Sequence, residues 1–479
     1  MLMSLLQALQ RSVRVESQAN RTDMHRVNAL NRQVFANTSF RHNQLILIKA
    51  AIQGSDILGV LPTGAGKSLT YQLPAIYAHQ GVTIIVAPIN ALINEQVDVL
   101  THKNVPALAY TSSLSKDHKS VICNFMRAGD MPFLYVSPEA LTDATEPLRT
   151  ALLCAHESGL INRVVIDEAH CIDKWGGDEF RPSFANLSNL RTIFPGVPLT
   201  ALTATANLKS RKLIAQVLGM EDAKLVVGSI FRKNLHFAVV NKIGVAQNNA
   251  ETDPAKEQIL EIVEAQGHNK FGLVYTTFRK DAENVATYLN SHSQVSVNHF
   301  HAGCSEQHKQ LVLTQWTQEH LQLVVATSAL GMGMDKGDIA YVILERIPIS
   351  PEEFIQMAGR GGRNGERANV IVLNSLHDFD SSFKKLPEIA NSQRSIDRIN
   401  VMKRFVDNRN TCRHKMMLSY FDDAQATTLK MPCGACDICD AYIEGKARRK
   451  KSDANKNSLG SKQMDATKAG KRHKDKYRQ

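Results

Sequence analysis

The chain has 479 residues, 43% of them hydrophobic, which is enough for two or three domains with real cores. No apolar run approaches the ~20 residues that cross a bilayer, so no membrane partner is expected. The formal charge is +11, yet residues 446 to 479 alone carry thirteen Lys and Arg against three Asp, so the remainder is almost neutral.

The opening MLMSLLQALQ is apolar but lacks a basic start and a small-residue cleavage site. It reads as an amphipathic helix in an N-terminal extension over 1–33, not as a secretory leader. The compartment is then expected to be reducing. From about Gln44 to Leu373, short buried-looking runs alternate with helical stretches. Thr83–Ala87, Phe133–Val136, Arg163–Ile166 and Leu199–Leu202 read as strands of a parallel sheet covered on both faces. Gly272–Tyr275, Leu323–Ala326, Tyr341–Leu344 and Val370–Leu373 form a second series. The fold class is α/β: one lobe over 34–230 and a second over 231–385, joined near Ser229–Asn234. Chemistry in such sheets collects at the C-terminal ends of the strands.

The first lobe offers Leu61–Ser68, LPTGAGKS. Gly64 and Gly66 permit positive φ, so backbone N–H groups can surround a phosphate. Lys67 supplies a point charge, and the Ser68 hydroxyl can ligate Mg²⁺. The strict phosphate-loop pattern has Gly where this chain has Leu61, so on its own the segment could equally be a fortuitous glycine turn. About a hundred residues on, Val164–Ile166 runs into Asp167-Glu168-Ala169-His170. Asp167 is placed to hold Mg²⁺ and Glu168 to deprotonate an attacking water; the alternative for either acid is a helix N-cap. In the second lobe, Gln356-Met-Ala-Gly-Arg360-Gly-Gly-Arg363 presents two arginines three positions apart. Guanidinium groups reaching across a cleft can stabilise a transferring phosphoryl group, with Arg363 as the finger and Arg360 as its companion, although one could instead brace the motif. A nucleotide site shared by two lobes couples its state to lobe closure.

Four of the eight cysteines, Cys412, Cys433, Cys436 and Cys439, gather as C-x20-C-x2-C-x2-C in a subdomain over 386–445. That spacing suits four thiolates on a structural Zn²⁺ with no open position; disulfides or buried thiols are the alternatives. The tail over 446–479 has no hydrophobic period and is expected to be disordered. It reads as a solvated end, a phosphate-backbone tether or a nuclear import signal.

The order FRHNQ (40–44), LPTGAGKS, DEAHCIDKWGGDEFRPSF (167–184), LTATA (202–206), HAG (301–303), VATSALGMGMDK (325–336), QMAGRGGRNG (356–365) and the four cysteines resembles the RecQ DNA helicases of superfamily 2. The resemblance spans about residues 34 to 440. It implies two tandem RecA-like lobes followed by a small helical zinc-binding subdomain. It further implies ATP-dependent 3′-to-5′ unwinding with ATP, Mg²⁺ and structural Zn²⁺. DNA repair and recombination would be the setting, single-stranded and forked DNA the partners, and the chain a monomer. The location would be nuclear in a eukaryote and cytoplasmic otherwise. A DNA-stimulated translocase or annealing ATPase with weak unwinding, and a non-catalytic DNA-binding relic, are the competing readings.

Matched to the family, Arg41 and Gln44 fall on the adenine-contacting motif, and a Gln can bond the N6/N7 edge twice. Thr63, Gly64, Gly66, Lys67 and Ser68 would hold the phosphates, with Gly333 and Asp335 contributed by the second lobe. Gln356, Arg360 and Arg363 complete the catalytic set. Thr203, Thr205 and His301 fall on coupling positions. Trp175, Phe180, Arg181 and Phe184 form an aromatic-rich loop on which bases could stack at ~1–3 kcal/mol each. The chain departs from the family in four places. His42-Asn43 replaces Pro-Gly, and Asn37 stands where an aromatic commonly stacks on adenine. Gly177 replaces a His that transmits strand binding, beside an apparent insertion at Glu179. The forty residues after Cys439 leave no room for winged-helix and helicase-and-RNase-D C-terminal domains.

Overall fold

The computed structural model describes residues 23–112, 114–173, 184, 186–242, 254–267, 269–331, 336–375 and 393–447. The basic tail beyond 447 and the first 22 residues lie outside them. Two parallel sheets organise the chain. The first contains β1 (Ile57–Val60), β2 (Val82–Val86), β3 (Ala107–Tyr110), β4 (Phe133–Val136), β5 (Ile161–Ile166), β6 (Leu199–Thr203) and β7 (Lys224–Val227), in the order β3-β4-β2-β5-β6-β1-β7. Its central strands are uniformly buried runs such as VTIIV and FLYV, because helices cover both faces.

The second sheet contains β8 (Leu235–Asn241), β9 (Phe271–Tyr275), β10 (Val297–Phe300), β11 (Leu323–Ala326), β12 (Ile339–Leu344) and β13 (Ala368–Asn374). Their order is β10-β11-β9-β12-β13-β8. Among the described residues no helix is long and apolar enough to cross a membrane.

The first sheet's order decides where chemistry gathers. β1 and β5 flank β6, so the loops after all three leave the sheet side by side. The first two loops carry Lys67 and Asp167, and β6 ends on Thr203 beside them.

Two features depart from the expected domain limits. The helix Met24–Gln33, capped by Asp23 accepting from the His25 and Arg26 amides, packs Val27 into a cluster with Ile48, Leu69 and Leu73. The part of the N-terminal segment that is described therefore belongs to the first lobe's surface. The cysteine-rich subdomain likewise has no separate core. Met402 and Phe405 of the helix Gln393–Asp407, Met417 and Leu418 of the helix Arg413–Tyr420, and all four cysteines share one cluster with β8, β12 and β13. Phe237 of β8 forms a bridge with Cys436, its amide bonds the Ala435 carbonyl at 3.1 Å, and the His414 ring stacks on it. Arg413, 1% exposed, holds Asp437 at 2.6 and 2.9 Å, and Asp437 also accepts from the Val239 amide. Removing Asp437 would leave the buried Arg413 guanidinium without its carboxylate partner, a destabilising change.

The subdomain also clasps the first lobe. Asp173, buried just after the DEAH segment, accepts from Arg394 at 2.8 Å, from Arg398 and from Ser210. Asp422 accepts from the Leu208 amide, and Asp423 from Ser229 and the Ile230 amide in the connection between lobes.

Candidate nucleotide cleft and metal centre

The loop after β1 is built around two left-handed glycines, Gly64 at φ +79° and Gly66 at φ +75°. A Cβ on Gly66 would also meet the Gln44 side-chain amide, so a larger residue there would strain the backbone and displace Gln44. Leu61 is no defect in this loop. Its amide donates to the Thr203 carbonyl at 2.9 Å and its side chain is buried, so it prolongs β1 and the turn begins later. Gln44 donates to the carbonyls of Ala65 and Gly66, accepts from the Arg41 amide, and Arg41 reaches the Gly64 carbonyl. The pair expected at adenine thus braces the phosphate loop.

Asp167, buried, and Glu168, half-buried, leave β5 as a carboxylate pair. Burial, then the neighbouring Glu168 charge, raises the Asp167 carboxyl to about 6. Burial also pushes Glu168 upward, but Lys67, His170 and Arg360 outweigh it and hold that carboxyl at about 2. These three neighbours favour the ionised form of Glu168, which a general base needs. It sits at φ +51°, a strained setting for a residue with a Cβ. His170 lies 3.1 Å from Glu168 and 3.0 Å from the Thr203 hydroxyl, which in turn donates to the Thr205 carbonyl. A polar chain thus connects the acidic motif to LTATA.

The second lobe closes the cleft. A Cβ on Gly359 would lie 3.4 Å from Thr63, and one on Gly64 would lie 4.0 Å from the Arg363 side chain. Arg360 is 6% exposed and close enough to bias Glu168. Gln356 stands on the helix Pro351–Ala358 that delivers them. The cleft encloses about 340 Å³, lined by Arg41, Gln44, Thr63, Phe231, Arg232 and Arg363 among others. That volume suits a small ligand. Burial and then the Arg363 charge lower Arg232 to about 10, as two guanidinium groups crowd one cavity that an anion would relieve.

Sequence reasoning missed Phe231, Arg232 and Asp173. Arg232 and Asn234 bond the Gly362 carbonyl, so the connection between lobes positions the arginine motif. Their partners lie more than a hundred residues away, and no local pattern marks them.

Gly333, Asp335, Trp175, Phe180 and Arg181 lie outside the described residues. Phe184 requires correction. It is 1% exposed in the first lobe's core with Leu187 and Leu190, so neither ring face is open to a base. His301 is buried, with Glu283 at 2.9 Å and Cys304 at 3.4 Å.

Cys412, Cys433, Cys436 and Cys439 converge as a buried group, with Sγ separations of 3.8 Å (Cys433–Cys436) and 4.0 Å (Cys412–Cys436). A disulfide needs ~2.05 Å, whereas tetrahedral Zn–S bonds of ~2.3 Å put sulfurs ~3.8 Å apart. The geometry and the all-thiol donor set fit a structural zinc. Zinc there would tie the helix Arg413–Tyr420 to the turn at 433–439.

Three family models match the chain: DEAD/DEAH box helicase over residues 41–214, helicase conserved C-terminal domain over 255–365, and RecQ zinc-binding over 378–440. ATP-dependent DNA helicase hus2/rqh1 of Schizosaccharomyces pombe is 34% identical over 414 residues, covering 84% of this chain and 30% of that one. ATP-dependent DNA helicase RecQ of Pasteurella multocida is 33% identical over 409 residues, covering 85% and 61%. The chain thus spans about a third to three-fifths of these relatives' lengths. Among solved structures, the DUF1998 helicase MrfA bound to DNA aligns with a TM-score of 0.61 at 18% identity, covering 84% of this chain and 58% of that one. The Mycobacterium smegmatis helicase Lhr bound to ssDNA and AMP-PNP aligns at 0.58 with 21% identity, covering 79% and 50%. These two likenesses bear on the fold alone.

Proposed function

The chain belongs to the RecQ family of superfamily 2 helicases, and on that premise we propose that it hydrolyses ATP in the inter-lobe cleft to move 3′-to-5′ along single-stranded DNA and unwind duplex. The observation that carries this reading is the arginine motif of one lobe standing against the phosphate loop of the other, with Lys67, His170 and Arg360 all favouring the ionised form of Glu168.

In this reading the amides around Gly64 and Gly66 and the Lys67 ammonium bind the β- and γ-phosphates. Mg²⁺ held by Ser68 and Asp167 would neutralise charge on the phosphate oxygens. Glu168 accepts a proton from the attacking water, and His170 keeps its carboxylate oriented. Arg363 and Arg360 meet the charge that spreads over the transferred phosphoryl group, and Gln356 supports them from the helix that precedes them. Loss of the γ-phosphate releases the arginines and lets the lobes part, which gives a stroke along bound DNA. Trp175, Phe180 and Arg181 supply the stacking surface, and Gly333 and Asp335 the second lobe's contacts to nucleotide. The basic tail adds phosphate contacts to DNA.

The test is ATP turnover with and without single-stranded DNA, beside Glu168→Gln, and strand separation on duplexes bearing a 3′ or a 5′ overhang. DNA-stimulated turnover lost in Glu168→Gln, with unwinding from the 3′ overhang only, is the expected result. Stimulated turnover without strand separation would replace unwinding by translocation or annealing. No turnover at all would reduce the chain to a DNA-binding protein.

A further inference from the structure

A second cluster of soft donors lies far along the chain from the four cysteines. β10 ends beside His299, the next loop carries Cys304, and His308 follows in the first turn of the helix Glu306–Thr317. That helix is fixed by Ser305, whose hydroxyl accepts from the His308 amide. One ligand atom from each of His299, Cys304 and His308 lies within 4.8 Å of the others, and all three residues are half-buried, so an ion can reach them. Metal–nitrogen and metal–sulfur bonds of ~2.0 and ~2.3 Å place tetrahedral ligands ~3.3–3.5 Å apart. Side-chain rotation of about an ångström closes that difference without moving a strand or a helix.

The surroundings are already arranged for ligation. The His308 Nε2 is 3.0 Å from the His299 carbonyl, so it bears the hydrogen and leaves the Nδ1 lone pair for a cation. Anchoring one ring nitrogen on a carbonyl is how proteins orient a ligating imidazole. Neither ring nitrogen of His299 has a hydrogen-bond partner among the described residues, although its ring stacks 4.6 Å from His308. His301 is committed elsewhere. Its Nε2 meets Glu283, and its Nδ1 faces Cys304 Sγ at 3.4 Å, where it can steady a thiolate from outside the ligand set. Simple ring packing would explain the stacked imidazoles, but not a thiol brought to the same point.

We propose that His299, Cys304 and His308 form a second metal site, which takes a borderline-soft divalent ion such as Zn²⁺ and keeps its fourth position open. Two imidazoles and a thiolate select such an ion over Mg²⁺ or Ca²⁺, and binding releases the Cys304 proton to solvent. Metal here would pin the loop carrying His301 and Gly303 between β10 and the helix that follows.

The test uses the full chain, reduced without added thiol and with its four-cysteine site filled by zinc, titrated with Co²⁺ and followed by absorption and calorimetry. One further saturable equivalent is expected, with a thiolate-to-cobalt band that Cys304→Ser abolishes. His308→Ala should weaken binding at least about tenfold, since losing an outer partner alone costs about 10–100-fold. Both variants should keep the first zinc and the wild-type melting curve. The proposal is overturned by the absence of a second equivalent, or by a band that persists in Cys304→Ser, which would mark exchange at the four-cysteine site.

Discussion

Phe231→Ala should weaken ATP binding without weakening the binding of a phosphate chain that has no base. Phe231 is the single aromatic among the described residues lining the cleft, and it shares the cavity with Arg41 and Gln44. The family resemblance puts Asn37 at the position expected of an adenine-stacking ring, so a ring from the inter-lobe connection is the available substitute. A base stacked on an aromatic side chain loses ~1–3 kcal/mol when that side chain becomes alanine. The Phe231 ring already packs edge-to-face with His414 at 5.1 Å and is half-buried against the second lobe's core, so only part of it is open to a base. The lower part of the range, ~1–2 kcal/mol, corresponds to about 5- to 30-fold in dissociation constant. The assay is equilibrium titration with a non-hydrolysable ATP analogue and, separately, with tripolyphosphate, on the wild type, Phe231→Ala and Phe231→Leu. Leucine keeps bulk against the second lobe but offers no π-face, so it should lose analogue affinity while retaining the melting temperature. Equal weakening of both ligands, or unchanged analogue affinity with a lower melting temperature, would show the ring to be core and nothing more.

Lys67→Ala should abolish hydrolysis while DNA binding measured by anisotropy stays mostly intact; wild-type turnover would remove the phosphate loop from the site. Because burial raises Asp167 from 3.8 to about 6, the folded protein retains that proton between those values. The stability this contributes is complete below the lower value and lost as pH rises through the upper, while Mg²⁺ binds only the ionised form. Apparent Mg²⁺ affinity should then be flat above about pH 6 and fall about tenfold per unit below it, as turnover against Mg²⁺ at several pH values would show. About one tightly held zinc per chain should survive dialysis, and Cys436→Ser should render residues 393–447 protease-sensitive, since zinc-finger peptides gain ~10–16 kcal/mol from metal; elemental analysis of folded protein decides it. Deleting residues 446–479 should flatten log K against log salt for single-stranded DNA by about two to four units, three to six phosphate contacts at ~0.7 each, and an unchanged slope would leave the tail without a DNA role.

The parts of this architecture that could be read in the chain are those encoded over a few neighbouring residues. β2, β4, β5 and β6 each hold a compact run rich in β-branched and apolar residues (VTIIV, FLYV, RVVI and LTALT), and the cysteine spacing and the glycine turn are local patterns. β1 (ILGV) carries Gly59 at its centre, β3 (ALAY) is half alanine, and β7 and β8 are edge strands with mixed exposure, so none shows a buried-strand signature. Leu61 looked like a flaw only because the residue continuing β1 was counted as part of the loop. Phe184 shares an aromatic-rich stretch with Trp175 and Phe180, and composition alone cannot show that its ring turns inward. Asp173 finds Arg398 across more than two hundred residues, and the cleft assembles Phe231 with Arg41 only once both lobes have folded.

β8 closes one side of the second sheet, and its free side is the one the cysteine segment covers. The Phe237 amide is taken by Ala435, the Val239 amide by Asp437, and His236 holds Asp440 at 2.7 Å. A bare seven-residue strand edge is a template for another chain's strand, the route by which sheet proteins aggregate. Metal in the four-cysteine site thus guards the solubility of the neighbouring lobe as well as its own turn. Zinc-starved protein would fail first by concentration-dependent self-association through β8, at temperatures where the first lobe remains folded. Chelation at low protein concentration, where such association is slow, would separate that failure from unfolding.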